Sequence, residues 1–186
     1  MEDSHIQRPA RDLAQSRTPD AMYEQAAATY GAALDRLARA YEADPDRRRD
    51  LLQDIHLALW QSFATFDGRC SLRTWIYRVA HNTATSRVLR RKAGAPTLVG
   101  IDELEGLSDE DAHVMLDERH AMDRLLRLVH RLQPLDRQII LLYLEGMDAA
   151  STSEITGISA RNVSTKVHRI KAILKRRFHA VGGGDD

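Results

Sequence analysis

The chain has 186 residues, with 27 Lys and Arg against 27 Asp and Glu, so its formal net charge is zero. A single cysteine, Cys70, excludes an internal disulfide and suits a reducing compartment. No apolar run resembles a signal peptide or approaches the roughly 20 residues of a membrane span, which predicts a cytoplasmic protein without membrane insertion.

Residues 1–20 are polar and lack periodicity, which predicts a disordered tail. Tyr23, Ala27, Tyr30, Leu34, Leu37 and Tyr41 then recur at spacings of three and four, the stripe of an amphipathic helix. Asp44-Pro45 reads as an N-cap followed by proline at the first helical position. The helix it starts is expected to bury Leu52, Ile55, Leu59 and Phe63.

Phe66-Asp67-Gly68-Arg69-Cys70-Ser71 interrupts the pattern and reads as a loop, with Ser71 capping the next helix. That helix is expected to bury Leu72, Ile76, Val79 and Thr83, with Trp75 beside them, and to turn Thr74, Arg78, His81 and Thr85 outward, with Asn82 on the flank. Helical periodicity resumes with Met122, Leu125, Leu126, Val129 and Leu132. Pro134 opens a further helix that Gly146 ends. A short helix at about 148–156 comes next, and Gly157 turns the chain. Ser159 caps a last helix with Val163, Val167, Ile170, Leu174 and Phe178 inward. No strand-like alternation survives, so the fold class is all-α in two small helical domains. The domain boundaries are 21–93 and 119–179, joined by a flexible acidic linker at 94–118, with a second disordered tail at 180–186.

The charges are sorted along this plan. Residues 69–93 hold seven Arg and Lys and no acid; residues 94–118 hold eight Asp and Glu and no base; residues 161–177 again hold seven Arg and Lys and no acid. Two basic helical blocks joined by an acidic strap suit a two-handed reader of a polyanion. The second block lies on the second of two short helices joined by a Gly-containing turn, a helix-turn-helix pattern. Residues phased away from its apolar stripe can reach DNA: Arg161, Ser164, Thr165, His168 and Arg169. Arg can grip guanine O6 and N7, and Ser and Thr suit phosphate or base. Lys166, Lys171 and Lys175 suit phosphates, which position without specifying. The preceding helix is expected to be short or loosely packed, because Ser151-Thr152-Ser153 are mediocre helix formers.

Several motifs together resemble a family. Arg49-Asp50-Leu51-Leu52-Gln53-Asp54-Ile55-His56-Leu57-Ala58-Leu59-Trp60 resembles the acidic-Gln-acidic helix of bacterial sigma factors of the sigma-70 family. Phe66-Asp67-Gly68 and the run Ser71-Leu72-Arg73-Thr74-Trp75-Ile76-Tyr77-Arg78-Val79-Ala80-His81-Asn82 are similar to the segment after that helix in the extracytoplasmic-function group. Leu132-Gln133-Pro134-Leu135-Asp136-Arg137-Gln138, Glu145-Gly146, Gly157-Ile158-Ser159 and Val163 fit the group's C-terminal part.

The resemblance implies a subunit that binds core RNA polymerase, recognises a promoter and helps open it. The domain at 21–93 would be sigma region 2 and that at 119–179 sigma region 4, the reader of the minus-thirty-five element. Asp50, Leu51, Gln53 and Asp54 match the face that docks on the β′ clamp helices; Asp50, Gln53 and Asp54 share one helix face by spacing. The loop Phe66, Asp67, Gly68, Arg69 and Ser71 matches the loop that captures a flipped minus-ten base, and Asn82 matches the polar residue that holds the melted strand. Arg69, Arg73, Arg78, Arg87, Arg90 and Arg91 would supply phosphate contacts along the same helix. In region 4 the resemblance points to the β flap as a second polymerase contact, and it names an anti-sigma factor as a candidate partner.

Three departures stand out. Arg47-Arg48-Arg49 replaces the usual acids before the docking helix, Ser151-Thr152-Ser153 replaces Glu-Ile-Ala, and Ser164 replaces a common Lys or Arg. No phosphate-binding glycine loop or metal-ligand spacing occurs, and the eight histidines are scattered. No enzyme, cofactor, metal or small-molecule substrate is therefore expected. Two alternatives stay open: a stand-alone helix-turn-helix regulator, and a polymerase-binding decoy without promoter activity. The acidic linker is expected to thread a basic channel of the polymerase or to mask the basic blocks.

Overall fold

The structure, a computed structural model, describes residues 18–90 and 118–179. Those residues contain seven α-helices and no β-strand, so the chain is all-α there. Residues 1–17 of the expected N-terminal tail, the C-terminal tail and nearly all of the acidic linker lie outside them, while Thr18, Pro19 and Asp20, expected in the disordered tail, are the cap and first turn of a helix.

Three helices form an N-terminal lobe: α1 (Pro19–Tyr41), α2 (Pro45–Ser62) and α3 (Leu72–Arg90). α1 and α2 both begin on a proline, whose missing N–H costs nothing in the first helical turn. Thr18 caps α1 by accepting from the Ala21 N–H at 3.3 Å, and Asp44 caps α2 by accepting from the Arg47 N–H at 2.9 Å. The small buried residues Ala26, Ala33 and Ala38 let α1 approach its neighbours closely. α2 contributes Leu51, Ile55 and Leu59 to the core, and Phe63 continues it in a 3-10 turn (Phe63–Thr65).

Two expectations change here. Leu51, expected on the docking face, is 1% exposed, whereas Leu52 is only partly buried. α2 packs against both α1 and α3, so its covered stripe centres on 51, 55 and 59. On α3, Thr74 and His81 were expected outside and are buried, with His81 at 0% exposed. α3 is covered on a second side by helices from the other half of the chain.

Those helices are α4 (Glu118–Arg131), α5 (Pro134–Leu144), α6 (Ala149–Thr156) and α7 (Ala160–His179). Buried Arg137 on α5 donates from Nε to the Val129 carbonyl at 3.1 Å and from Nη2 to the Leu132 carbonyl at 3.2 Å, and it also reaches the His130 carbonyl. A cation thus closes the carboxyl end of α4, where the helix dipole favours it. The α6 helix is short, as its composition predicts, yet it is packed: Thr152 and Ile155 are buried. Asp148 caps it by accepting from the Ser151 N–H at 2.7 Å, and Ser153 Oγ donates to the Ile158 carbonyl at 2.6 Å. The Ser153 hydroxyl therefore serves the turn, which offsets its low helix propensity. Gly157 ends α6 at φ +77°, a left-handed conformation that a side chain would strain.

The two lobes share their cores. Leu142, Met147 and Ile155 of the C-terminal lobe are buried in one cluster with Ile76, Tyr77, Ala80 and Ala84 of α3. In the other direction, Ala40 of α1 is buried with Val129, Leu132, Ile140, Ile170 and Ile173.

Candidate polymerase and nucleic-acid interfaces

The outer face of α2 carries Asp50, Gln53 and Asp54, all exposed. Arg87 of α3 reaches across to both acids, with Nη1 at 2.5 Å from Asp54 Oδ2 and Nη2 at 3.4 Å from Asp50 Oδ2. Arg87 was expected on phosphate, and instead it holds the two carboxylates in place. Two carboxylates against one guanidinium leave the face acidic, which suits a basic partner surface. Leu51 lies beneath this face and supports it from the core rather than meeting a partner.

Sequence reasoning passed over two residues of the same stripe. Leu57 is 54% exposed and Trp60 is 45% exposed, with the indole Nε1 donating to Asp20 Oδ1 at 2.7 Å. Leu57 stands seven positions after Asp50, two helical turns along the same face, and that spacing was the available signal. The exposed leucine and tryptophan add apolar area beside the acids, and tryptophan is a residue enriched at interface hot spots.

The loop between Phe66 and Ser71 is anchored at both ends. The Phe66 ring packs on Trp75 at 5.3 Å between centroids, and Trp75 Nε1 donates to Ser62 Oγ at 3.0 Å. Ser71 Oγ accepts from the Thr74 N–H at 3.0 Å, the expected cap of α3. Between the anchors, Asp67 accepts from the Arg69 N–H at 3.1 Å and pairs with its guanidinium at 2.7 Å, while Gly68 turns the chain at φ +73°. Asp67, Gly68 and Arg69 stay exposed, a projecting polar loop on a firm base. Cys70 in this loop is a free, half-buried thiol.

Asn82 is exposed on α3 eleven residues beyond Ser71, about 16 Å further along the helix axis. Loop and Asn82 are therefore not brought to one point. Arg78 is half-buried, and its Nη2 donates to the Glu154 carbonyl of α6 at 3.2 Å. Trp75 packs against the core, and Tyr77 is buried.

On α7 the outward phase is as read from the sequence for most positions. Arg161, Ser164, Thr165, His168 and Arg169 are exposed, as is Asn162, which the sequence pattern did not single out. Ser159 caps the helix, accepting from the Asn162 N–H at 3.3 Å. Ser164 and Thr165 donate their hydroxyls to the carbonyls of Ala160 and Arg161 at 3.1 and 3.0 Å, so each hydroxyl oxygen still has lone pairs to accept with. Lys166 differs. Its ammonium lies 2.7 Å from buried Asp136 of α5, which ties α7 to its own lobe rather than to phosphate. Lys171 donates to the Tyr143 hydroxyl at 2.7 Å.

Among the described residues no group of three His, Cys, Asp or Glu could hold a metal, and no helix is long and apolar enough to cross a membrane.

Comparison with known proteins matches this geometry in both lobes. Residues 27–94 match the family model described as Sigma-70 region 2, and residues 122–174 match Sigma-70, region 4. The chain is 23% identical over 140 residues to the ECF RNA polymerase sigma factor SigX of Bacillus subtilis, covering 73% of this chain and 72% of SigX. It is 24% identical over 154 residues to SigW of the same organism, covering 76% and 78% of the two chains. In fold it resembles CnrH in complex with the cytosolic domain of CnrY, with TM-score 0.64 and 23% identity over 91% of this chain and 95% of that one. It also resembles the sigma factor RpoE in complex with the anti-sigma factor NepR from Bartonella quintana, with TM-score 0.62 and 18% identity over 84% and 96% of the two chains.

Proposed function

The chain belongs to the sigma-70 family, in its extracytoplasmic-function group, and from that premise we propose how its residues divide the work. A sigma factor binds core RNA polymerase and directs promoter recognition and DNA melting, and this chain is one. The exposed stripe Asp50, Gln53, Asp54 and Leu57 on α2 supports the docking assignment most strongly. Its acids meet a basic helical partner in the polymerase, and Leu57 and Trp60 bury apolar area at the centre of the contact. Leu51 acts from below.

The Phe66 to Ser71 loop receives a base flipped from the minus-ten element. Unstacking a base costs a few kcal/mol, and hydrogen bonds from the polar groups of the projecting loop offset it. Asn82, further along α3, contacts the same melted strand at a different nucleotide. On α7, Arg161, Ser164, Thr165, His168 and Arg169 read the minus-thirty-five element in the major groove, and Arg161 near the helix start is placed for base edges. Lys166 orders the reader through Asp136. The chain performs no reaction of its own, acts in the cytoplasm where its polymerase is, and takes an anti-sigma factor as a further partner.

The test is binding of the full chain to purified core polymerase. Asp50→Ala/Asp54→Ala is expected to weaken it by about 2–5 kcal/mol, roughly 30-fold or more, as for truncated charge pairs at other interfaces. Unchanged affinity would remove the docking assignment.

A further inference from the structure

A cavity of about 490 Å³ is walled by α1, α4 and α5, and α3 adds His81 to it. Small-molecule sites run from roughly 300 to 1,000 Å³, so the volume suits one. Most of the wall is aliphatic: Leu37 of α1, Leu125, Leu126 and Val129 of α4, and Leu141 and Leu144 of α5. Polymerase docking and base reading, as assigned above, use none of these residues.

The charges around the cavity already engage one another. Glu145 accepts from Arg36 twice, Nε to Oε1 at 2.9 Å and Nη2 to Oε2 at 2.8 Å. It also accepts from the Tyr77 hydroxyl at 3.1 Å, and Arg73 donates to its backbone carbonyl. Arg39 stands 3.9 Å from Asp35. Of the charged residues on the wall, Arg36 and Arg39 are matched by Asp35 and Glu145. Such a lining has no surplus charge to offset the burial of an ion.

One buried polar atom is not engaged. His81 is 0% exposed, with the rings of Tyr41 and Tyr77 packed beside it. Its Nδ1 lies 3.0 Å from the Tyr41 hydroxyl, which lies 3.4 Å from Thr85 Oγ1. The hydroxyl has one proton and the shorter contact takes it, so Nδ1 accepts and Nε2 carries the ring N–H. That Nε2 has no hydrogen-bond partner among the described residues. Burial holds the ring neutral, with its pKa down at about 3. A buried N–H without an acceptor is costly, and a carbonyl oxygen in the cavity satisfies it. Water answers less well, because a buried water wants roughly two to four polar partners and the aliphatic wall supplies none.

We propose that this cavity binds a neutral, mostly apolar small molecule through one carbonyl oxygen that accepts from His81 Nε2. The aliphatic wall takes the hydrocarbon body, and the imidazole fixes its orientation. The site is independent of the polymerase and promoter assignments.

The experiment titrates the full chain with three probes, followed by nuclear magnetic resonance of the His81 ring nitrogens. Butyrophenone is neutral with one carbonyl, butylbenzene has nearly the same shape without it, and phenylbutyrate is an anion. Butyrophenone should bind about 3- to 10-fold more tightly than butylbenzene, the worth of one net hydrogen bond, and should shift the His81 Nε2 signal. Phenylbutyrate should bind more weakly than either. His81→Phe keeps a ring and removes the N–H, so it should erase the ketone preference while butylbenzene still binds. Leu126→Trp fills the cavity and should abolish binding of all three, with helix content unchanged by circular dichroism. Equal wild-type affinity for butyrophenone and butylbenzene, an unmoved His81 signal, or a ketone preference that survives His81→Phe overturns recognition by His81. Failure of every probe to bind, leaving water alone in the cavity, or binding indifferent to Leu126→Trp overturns the site itself. No DNA or polymerase is present, so these outcomes are separate from failure of the sigma assignment.

Discussion

α3 and α7 are both basic helices assigned to DNA, and they differ in how much of their surface is covered. α7 lays one stripe, Val163, Ile170 and Ile173, against its own lobe and leaves the other side to solvent. α3 is packed by α1 and α2 on one side and by α5 and α6 on another. A helix with one covered side can read DNA as it stands. A helix covered on two sides can do so over its whole face only after something moves. On the proposed assignments, α7 is ready to read DNA in the free protein and the α3 surface is half engaged.

The largest effects should come from the cores beneath the two helices. Ile76→Ala on α3 and Ile170→Ala on α7, both at fully buried sites, should each cost about 2–5 kcal/mol in urea unfolding. Each core contains residues of the other lobe, so unfolding followed by tryptophan fluorescence and by far-ultraviolet circular dichroism should coincide. Trp60 and Trp75 both lie in the N-terminal lobe, so separate transitions would break the picture of a shared core.

A smaller and more local effect is expected on the reader. Arg161→Ala should cost about 1–3 kcal/mol in binding of promoter duplex by the assembled holoenzyme and relax preference at one base position. Lys166→Ala should instead lower the thermal stability of the C-terminal lobe, because it leaves Asp136 buried without its cation. Calorimetry beside duplex binding separates the two. Equal loss of base preference in both variants would reverse their roles.

The smallest effect is a pH dependence seated in α3. Burial pushes His81 down to about 3, where its Nδ1 shares a hydrogen bond with the Tyr41 hydroxyl at 3.0 Å. The Tyr77 ring packs beside it, and Arg137 stacks on the far partner Tyr41. The folded value lies below the unfolded one near 6.5, so stability is complete above that pH and falls as pH drops toward the folded value. Between about pH 7.5 and 5.5 this linkage costs about 1 kcal/mol, readable as a shift in urea midpoint. His81→Gln should flatten the shift, though not abolish it, since burial also lowers His56 and His130. An unchanged slope in the variant would place the effect elsewhere.

How far the sequence carried differs between the same two helices. For α7, helical phase from Val163 and Ile170, the Ser159 cap and the Gly157 turn were enough, because a helix with one covered side obeys a single stripe. Lys166 escaped, since its partner Asp136 lies thirty positions earlier. For α3, phase misplaced Thr74 and His81, because periodicity within one helix carries no record of a second lobe packing on it. Leu51 and Leu52 were exchanged for a related reason: α2 sits between two helices, so its buried centre lies one residue from where a single stripe would put it. The all-α class and the caps at Asp44, Ser71 and Ser159 depend on local chemistry and were legible. The Glu145 cluster joins residues 36, 73, 77 and 145, and nothing local announces it.

Run-off transcription by the full chain with purified core polymerase, on a library of genomic fragments, tests the central claim most directly. The account predicts discrete transcripts whose start sites share one pair of upstream motifs. Asn82→Ala should abolish most of the signal while the complex with core polymerase persists. Complex formation without any start site, or transcripts indifferent to both Asn82→Ala and Asp50→Ala/Asp54→Ala, would contradict it.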